Sequence, residues 1–151
     1  MTIKIGVISD THGLLRPEVL DVLYTCDAIL HSGDADKPEI LDFLRPIAPL
    51  YVVRGNNDRE WARYIPHSLS FSLGDVNFFM IHDKSEIPKA LGDRQIVVFG
   101  HSHRYFEQMV NDRLWLNPGS CGKPRFHQEL SMAIVRIDNG HYQVEKIPIE
   151  P

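Results

Sequence analysis

Five short apolar runs in this chain each end in a residue that can bind a metal. Residues 3–8 lead into Ser9-Asp10-Thr11-His12, and residues 27–31 into Gly33-Asp34. Residues 50–54 lead into Gly55-Asn56-Asn57-Asp58, residues 76–82 close on His82, and residues 95–99 lead into Gly100-His101-Ser102-His103. Runs of this length bounded by turn residues read as buried strands. An open α/β sheet carries its chemistry just beyond the carboxyl ends of its strands, so the pattern demands a fold that gathers several strand ends in one place.

The intervening sequence suits such a fold. Pro17 and Lys37-Pro38 are good first residues for helices, the second running through Leu44 before Pro46 and Pro49. Strand, helix, strand, helix, strand implies a parallel sheet with crossover helices. The texture then changes. Residues 68–73 and 76–82 read as a hairpin around Gly74-Asp75, and residues 85–91 as a short helix closed by Gly92. Residues 105–110, 113–117, 131–137 and 141–147 read as antiparallel strands, with two-residue turns at 111–112 and 139–140. The expected fold class is α/β: two packed mixed β-sheets, a β-sandwich, flanked by helices.

A chain of 151 residues is read as one domain, residues 1–151, large enough to bury a core without staples. Sixteen basic and twenty acidic side chains leave a net charge of −4, which supplies no basic field for long nucleic acid. Cys26 and Cys121 form no Cys-x-x-Cys pair, so a thiolate zinc site is not expected and a reducing compartment is. The first apolar run is too short for a secretory leader, and no stretch reaches the roughly 20 apolar residues of a membrane span. The expectation is a cytoplasmic protein that begins at its Met1.

Asp10, His12, Asp34, Asn56, His82, His101 and His103 each offer an oxygen or an imidazole nitrogen to a divalent ion. Asp10 and His12 lie two apart, as do His101 and His103; on extended backbone such pairs point the same way and can converge. Taken singly, each has an ordinary explanation as a helix cap, a turn residue or a half-buried histidine. Together they number about what two ions need when water completes the shells.

The order Asp-x-His, Gly-Asp, Gly-Asn-x-Asp, His, Gly-His-x-His resembles the calcineurin-like metallophosphoesterase superfamily. The length, with Asn117-Pro118-Gly119-Ser120, Gly122 and Pro124-Arg125, resembles its small single-domain prokaryotic phosphodiesterases. The resemblance implies two divalent ions, drawn from Mn, Fe, Zn or Ni. One would take Asp10, His12, His103 and Asp34; the other Asn56, His82, His101 and Asp34, with Asp34 bridging. It also implies in-line attack on phosphorus by a hydroxide shared between the ions, on a small phosphodiester or phosphomonoester. No membrane partner is expected, and a homo-oligomer is left open.

Two positions depart from the family pattern. Where well-known members carry a His after the ligand Asn, this chain has Asn57, so Asp58 loses the partner that it would orient. A carboxamide hydrogen-bonds but is no useful proton donor near neutrality. Asn57, Asp58 and Asp34 are therefore the catalytic candidates, and slower turnover or good leaving groups are expected. Asp83 replaces a usual Gly and reads as a solvated loop acid. His31 reads as a support for the ligands; His67, His127 and His141 have no motif. Arg54, Arg59 and Arg125 are candidates to meet a phosphate. Trp61 and Tyr64 suit a loop packed on the core. Substrate choice is assigned to loops around Asp36, 59–65 and 122–127. The alternative function is a catalytically inert scaffold of the same fold, as in the retromer subunit, but scaffolds tend to lose ligands and all seven are present.

Overall fold

The computed structural model describes residues 2–124 and 128–151. Arg125 and His127, named above, lie outside the described residues. Ten strands form two mixed five-stranded sheets. The first contains β1 (Thr2–Ile8), β2 (Ala28–His31), β3 (Leu50–Val52), β9 (Leu130–Asp138) and β10 (His141–Ile149), in the order β10-β9-β1-β2-β3. The second contains β4 (Ser68–Leu73), β5 (Val76–Ile81), β6 (Ile96–Val98), β7 (Tyr105–Val110) and β8 (Arg113–Pro118), in the order β4-β5-β6-β8-β7.

The expected α/β sandwich is the observed architecture. Alternation along the strands builds it. Ile5 and Val7 of β1, Leu30 of β2 and Val135 of β9 meet Phe78 and Met80 of β5, Val98 of β6 and Leu116 of β8 between the sheets. Ile8, Ile29 and Ile134 point the other way, onto the helices α1 (Pro17–Leu23) and α2 (Pro38–Leu44) through Leu23, Leu41 and Leu44. Each helix has Pro in its first turn. The outer face of the second sheet is apolar as well, with Phe79, Val97 and Leu91 buried there.

Strand direction decides where the chemistry sits. β1, β2 and β3 run parallel, and so do β5, β6 and β8. The last third of the chain is thus not simply antiparallel: β8 pairs in parallel with β6 and antiparallel with β7, while β9 and β10 extend the first sheet.

Two further expectations need correction. Residues 85–91 are not a helix but a 3-10 turn at Lys84–Glu86, because Ile87 is extended ahead of Pro88. Trp61 packs on the helix-side core as expected, but Tyr64 is 83% exposed, with the Arg63 guanidinium 4.8 Å from its ring centroid. Among the described residues no helix is long and apolar enough to cross a membrane.

Phe78 is fully buried between the sheets and stacked on Phe71 at 5.1 Å. Phe78→Ala is expected to cost about 3–5 kcal/mol and to lower the thermal midpoint by roughly 10 °C. Calorimetry checks this; a loss below about 1 kcal/mol would show that the two sheets do not depend on this contact.

Candidate metal centre

The loops that follow β1, β2, β3, β5 and β6 meet at one end of the sandwich, and all seven expected ligands lie in them. Backbone bonds knit the loops together. Asp10 N–H donates to Gly33 O, His12 N–H to Asp34 O, and Gly100 N–H to His82 O. Asp58 goes further. Its Oδ2 accepts from the N–H groups of Asp34 and Gly55, both at 2.9 Å, and its Oδ1 from Asp36 N–H at 2.8 Å. This carboxylate binds the second loop to the third and is buried in doing so.

The backbone is unusual at the ligands themselves. Asp10, His12, Asp34, His101 and His103 all have positive φ, between 48° and 75°. Asp10 and His12 therefore do not converge from extended backbone, as the two-residue spacing suggests, but from left-handed positions. Asp, Asn and His tolerate that region best among side-chain-bearing residues. Concentrated local strain of this kind is found at functional sites. Two glycines permit the close approach: a Cβ at Gly55 would collide with the carboxylate and backbone of Asp34, and one at Gly100 with Ser9 Oγ.

Two carboxylates occupy the centre. Asp10 Oδ2 accepts from Ser9 Oγ at 2.6 Å and from His101 N–H at 3.1 Å. Its Oδ1 is buried with no hydrogen-bond partner among the described residues. That bare oxygen lies 3.3 Å from His103 Nε2, 3.7 Å from His12 Nε2 and 3.8 Å from His82 Nε2. Asp34 accepts from Asn57 N–H at 2.8 Å and from Asn57 Nδ2 at 3.2 Å, and its Oδ2 is 3.2 Å from His82 Nε2 and 3.9 Å from His12 Nε2. Burial pushes the Asp34 carboxyl up, but His82 and the Asn57 amide outweigh this and hold it at about 2. Asp10 behaves alike: burial raises it, and His103, His82 and Ser9 bring it below the ordinary carboxylate range.

His82 and His12 are aimed from behind, whereas His103 Nδ1 is buried with no hydrogen-bond partner among the described residues. His82 Nδ1–H donates to Ser32 O at 2.8 Å, so Nε2 faces the carboxylates. Burial opposes a charge on this ring, yet Asp34, Asp10 and the Ser32 carbonyl raise its pKa to about 9. His12 Nδ1 pairs with Asp36 Oδ2 at 2.8 Å, leaving His12 Nε2 only 3.2 Å from His103 Nε2. Two imidazole nitrogens facing each other that closely need a proton or a cation between them. A partner behind each imidazole is the usual support of a metal-ligating His.

Asp10, His12 and His103 thus bring ligand atoms within 4.8 Å of one another, and so do Asp10, Asp34 and His82. Asp10 touches both groups, so it is more central than the ligand sets implied by resemblance. Asn56 Oδ1 and His101 Nδ1 meet at 3.2 Å on the exposed side, with the His101 ring edge-on to His82 at 5.3 Å. Asp34, Asp36 and Asp58 also cluster, but the oxygens of Asp58 are committed to backbone N–H groups.

Supporting residues surround these side chains, and His31 is the support that the sequence suggests. Asp36 was read only as part of a substrate loop; its two-residue spacing from Asp34 matches the other motifs and was the available signal. Asp58 spends three of its roughly four acceptor sites on backbone N–H groups rather than on the orienting role that resemblance gives it. Ser120 Oγ donates to Asp10 O, and Asn117 Nδ2 to Gly100 O, so the Asn-Pro-Gly-Ser segment braces two ligand loops. His31 is fully buried. Its Nδ1 accepts from Gly33 N–H, so its Nε2–H donates to Thr11 Oγ1, and burial lowers it to about 4. It is a neutral prop beneath the first two loops. Asp83 Oδ1 accepts from Ser85 N–H and Oγ, capping the 3-10 turn. Arg54 lines a cleft beside Asn56 and His82, whereas Arg59 is exposed. His67, in the same cleft, pairs with Glu86 at 2.8 Å, and His141 is exposed on β10.

Comparison with known proteins agrees with this geometry. The model of the calcineurin-like phosphoesterase superfamily domain matches residues 3–140. A probable metallophosphoesterase of Methanothermobacter thermautotrophicus is 35% identical, over 95% of this chain and 91% of that protein. A phosphodiesterase of Methanocaldococcus jannaschii is 29% identical, over 78% and 84%. The crystal structure of Vps29 from Chaetomium thermophilum matches with a TM-score of 0.78 over 97% of both chains, at 19% identity, a likeness of fold alone. With the family's domain spanning residues 3–140 and close relatives matched along nearly their whole length, this chain belongs to the calcineurin-like phosphoesterase superfamily.

Proposed function

We propose that residues 1–151 form one domain that hydrolyses small phosphodiesters, and phosphomonoesters less well, with two divalent ions held at the strand ends. The observation that carries this reading is the set of bare ligand atoms. Asp10 Oδ1 and His82 Nε2 are buried without hydrogen-bond partners among the described residues, and the Nε2 atoms of His12 and His103 face each other at 3.2 Å. Buried polar atoms are normally satisfied. These converge, with Asp10, His82 and His12 each backed by a second partner, and the donor set is nitrogen and carboxylate oxygen, which suits Mn, Fe, Zn or Ni. Such residues fit divalent ions.

The proposed division is the one that the family resemblance implies, and the place of Asp34, 3.2 Å from His82 Nε2 and 3.9 Å from His12 Nε2, supports it. Asp10, His12 and His103 would hold one ion, His82, Asn56 and His101 the other, with Asp34 between them. Bound ions would acidify water and neutralise charge developing on the phosphoryl oxygens. Asn57 donates two hydrogen bonds to Asp34 and so fixes that carboxylate's orientation. It cannot supply a proton to a departing alkoxide, so this chain favours esters whose leaving groups are stable as anions. Asp58 acts through the backbone as a positioning residue. Two free, buried cysteines are consistent with the cytoplasmic setting that we propose. The scaffold reading has the Vps29 fold likeness behind it, whereas the intact ligand set supports the enzyme.

Hydrolysis of bis(p-nitrophenyl) phosphate with Mn²⁺ tests the proposal. The wild type should be active and inhibited by chelator. Asp34→Asn should lower kcat/KM by more than about 100-fold, beyond the cost of losing a supporting partner. No metal-dependent activity, or full activity in Asp34→Asn, would overturn it.

Protons compete with metal at this centre. With its pKa at about 9, the metal-free His82 ring stays protonated through neutrality and is freed only as pH rises through that value. Metal affinity is therefore expected to climb from pH 6.5 to 8.5, with about one proton displaced per loaded chain at pH 7.5. Calorimetric titration in buffers of different ionisation enthalpy measures this. An affinity flat across that range would contradict the proposed place of His82.

A further inference from the structure

Two clefts flank the exposed side of the centre, and Asp83 lines both. One, of about 290 Å³, is polar and contains Arg54, Asn56, His67 and His82. The other, of about 330 Å³, has a different chemistry. His101 forms its edge on the metal side, Phe99 and Phe106 line it, and Lys84 and Arg104 are its cations. The Phe99 and Phe106 rings lie 6.1 Å apart at 52°. The Lys84 ammonium sits 4.7 Å from the centroid of Phe106, 5.7 Å from that of Phe99 and 5.9 Å from that of Trp115.

Nothing in the centre described above uses this aromatic cleft. Phe106 is only half-buried, Lys84 and Arg104 are exposed, and His101, an expected ligand, joins the cleft to the metal centre. Its volume lies at the small end of ligand sites, enough for one ring system. Ring faces favour offset-stacked or edge-on aromatic partners, and two cations add attraction for a π-system. A phosphodiester has two ester arms, and His101 makes this cleft a neighbour of the centre within reach of one of them.

We propose that the Phe99–Phe106 cleft beside His101 binds one aromatic ester arm of the phosphodiester substrate, with Lys84 and Arg104 at the ring. The inference rests on the phosphoesterase reading and narrows it: diesters with an aryl or heteroaromatic arm are favoured over those with two small alkyl arms. Phe106 is a specificity residue that touches the arm and not the phosphorus.

Phosphonates separate the two ideas, because they carry the same anionic head and cannot be hydrolysed at their carbon–phosphorus bond. The full chain, loaded with Mn²⁺, is titrated calorimetrically with methylphosphonate and phenylphosphonate. Phenylphosphonate is expected to bind about tenfold more tightly, the scale of one well-placed aromatic contact. The preference should fall to within about twofold in Phe106→Ala and be retained in Phe106→Tyr. Phe106→Leu, which preserves apolar volume on β7, should lose it too and serves if the alanine variant does not fold. Methylphosphonate binding with no phenyl preference, or a preference unchanged in the alanine and leucine variants, overturns the aromatic cleft alone. Failure of both phosphonates to bind metal-loaded protein overturns the phosphoesterase reading and the cleft with it.

Discussion

The structure depends on keeping two ionised carboxylates, Asp10 and Asp34, out of water at one end of a β-sandwich. A buried, unpaired carboxylate would normally take a proton. Here each is held in its charged form by its neighbours: Asp10 by the His103 and His82 imidazoles, the adjacent Ser9 Oγ and the His101 N–H, and Asp34 by His82 and the Asn57 amide groups. One oxygen of Asp10 is left bare, facing three imidazole nitrogens. In the metal-free protein, a proton on His82 balances part of the negative charge. The same arrangement turns carboxylate oxygens and imidazole nitrogens toward one point, where they could hold a divalent cation.

The frame around these carboxylates is made from strand ends and costs local strain. Five of the expected ligands occupy left-handed backbone, and the loops approach so closely that Gly55 and Gly100 have no room for a Cβ. Asp58 offsets this by accepting three backbone N–H groups, and Asn117 and Ser120 brace the far side. The departure at Asn57 becomes intelligible in this light. The residue orients the Asp34 carboxylate, so an Asn in place of the family's His removes a candidate proton donor but keeps a donor on that carboxylate.

Much of the fold was legible in the sequence because strong local signals agreed. Pro17 and Pro38 start helices, Asn139-Gly140 turns a hairpin, and apolar runs ending in Asp, Asn or His mark the parallel strand ends. The convergence of the seven candidate ligands was legible because few residue types bind metal and their order was distinctive. What escaped notice was set by tertiary contacts. Positive φ at Asp10 and His12 cannot be read from residue type, and it replaces the extended geometry that the spacing suggests. The support of His12 by Asp36 spans 24 positions, and the backbone clamp at Asp58 depends on N–H groups that carry no sequence signature. The helix expected at 85–91 was a misreading of a signal that was present, since Ile87-Pro88 disfavours helix at that step.

The central claim is that two ions share one carboxylate, and metal stoichiometry tests it most directly. Equilibrium dialysis against Mn²⁺, followed by elemental analysis and electron paramagnetic resonance, should give two ions per chain with coupled spins. Asp34→Asn should reduce this to one or fewer and abolish the coupling. One ion per chain in the wild type, or two coupled ions persisting in Asp34→Asn, would contradict the account.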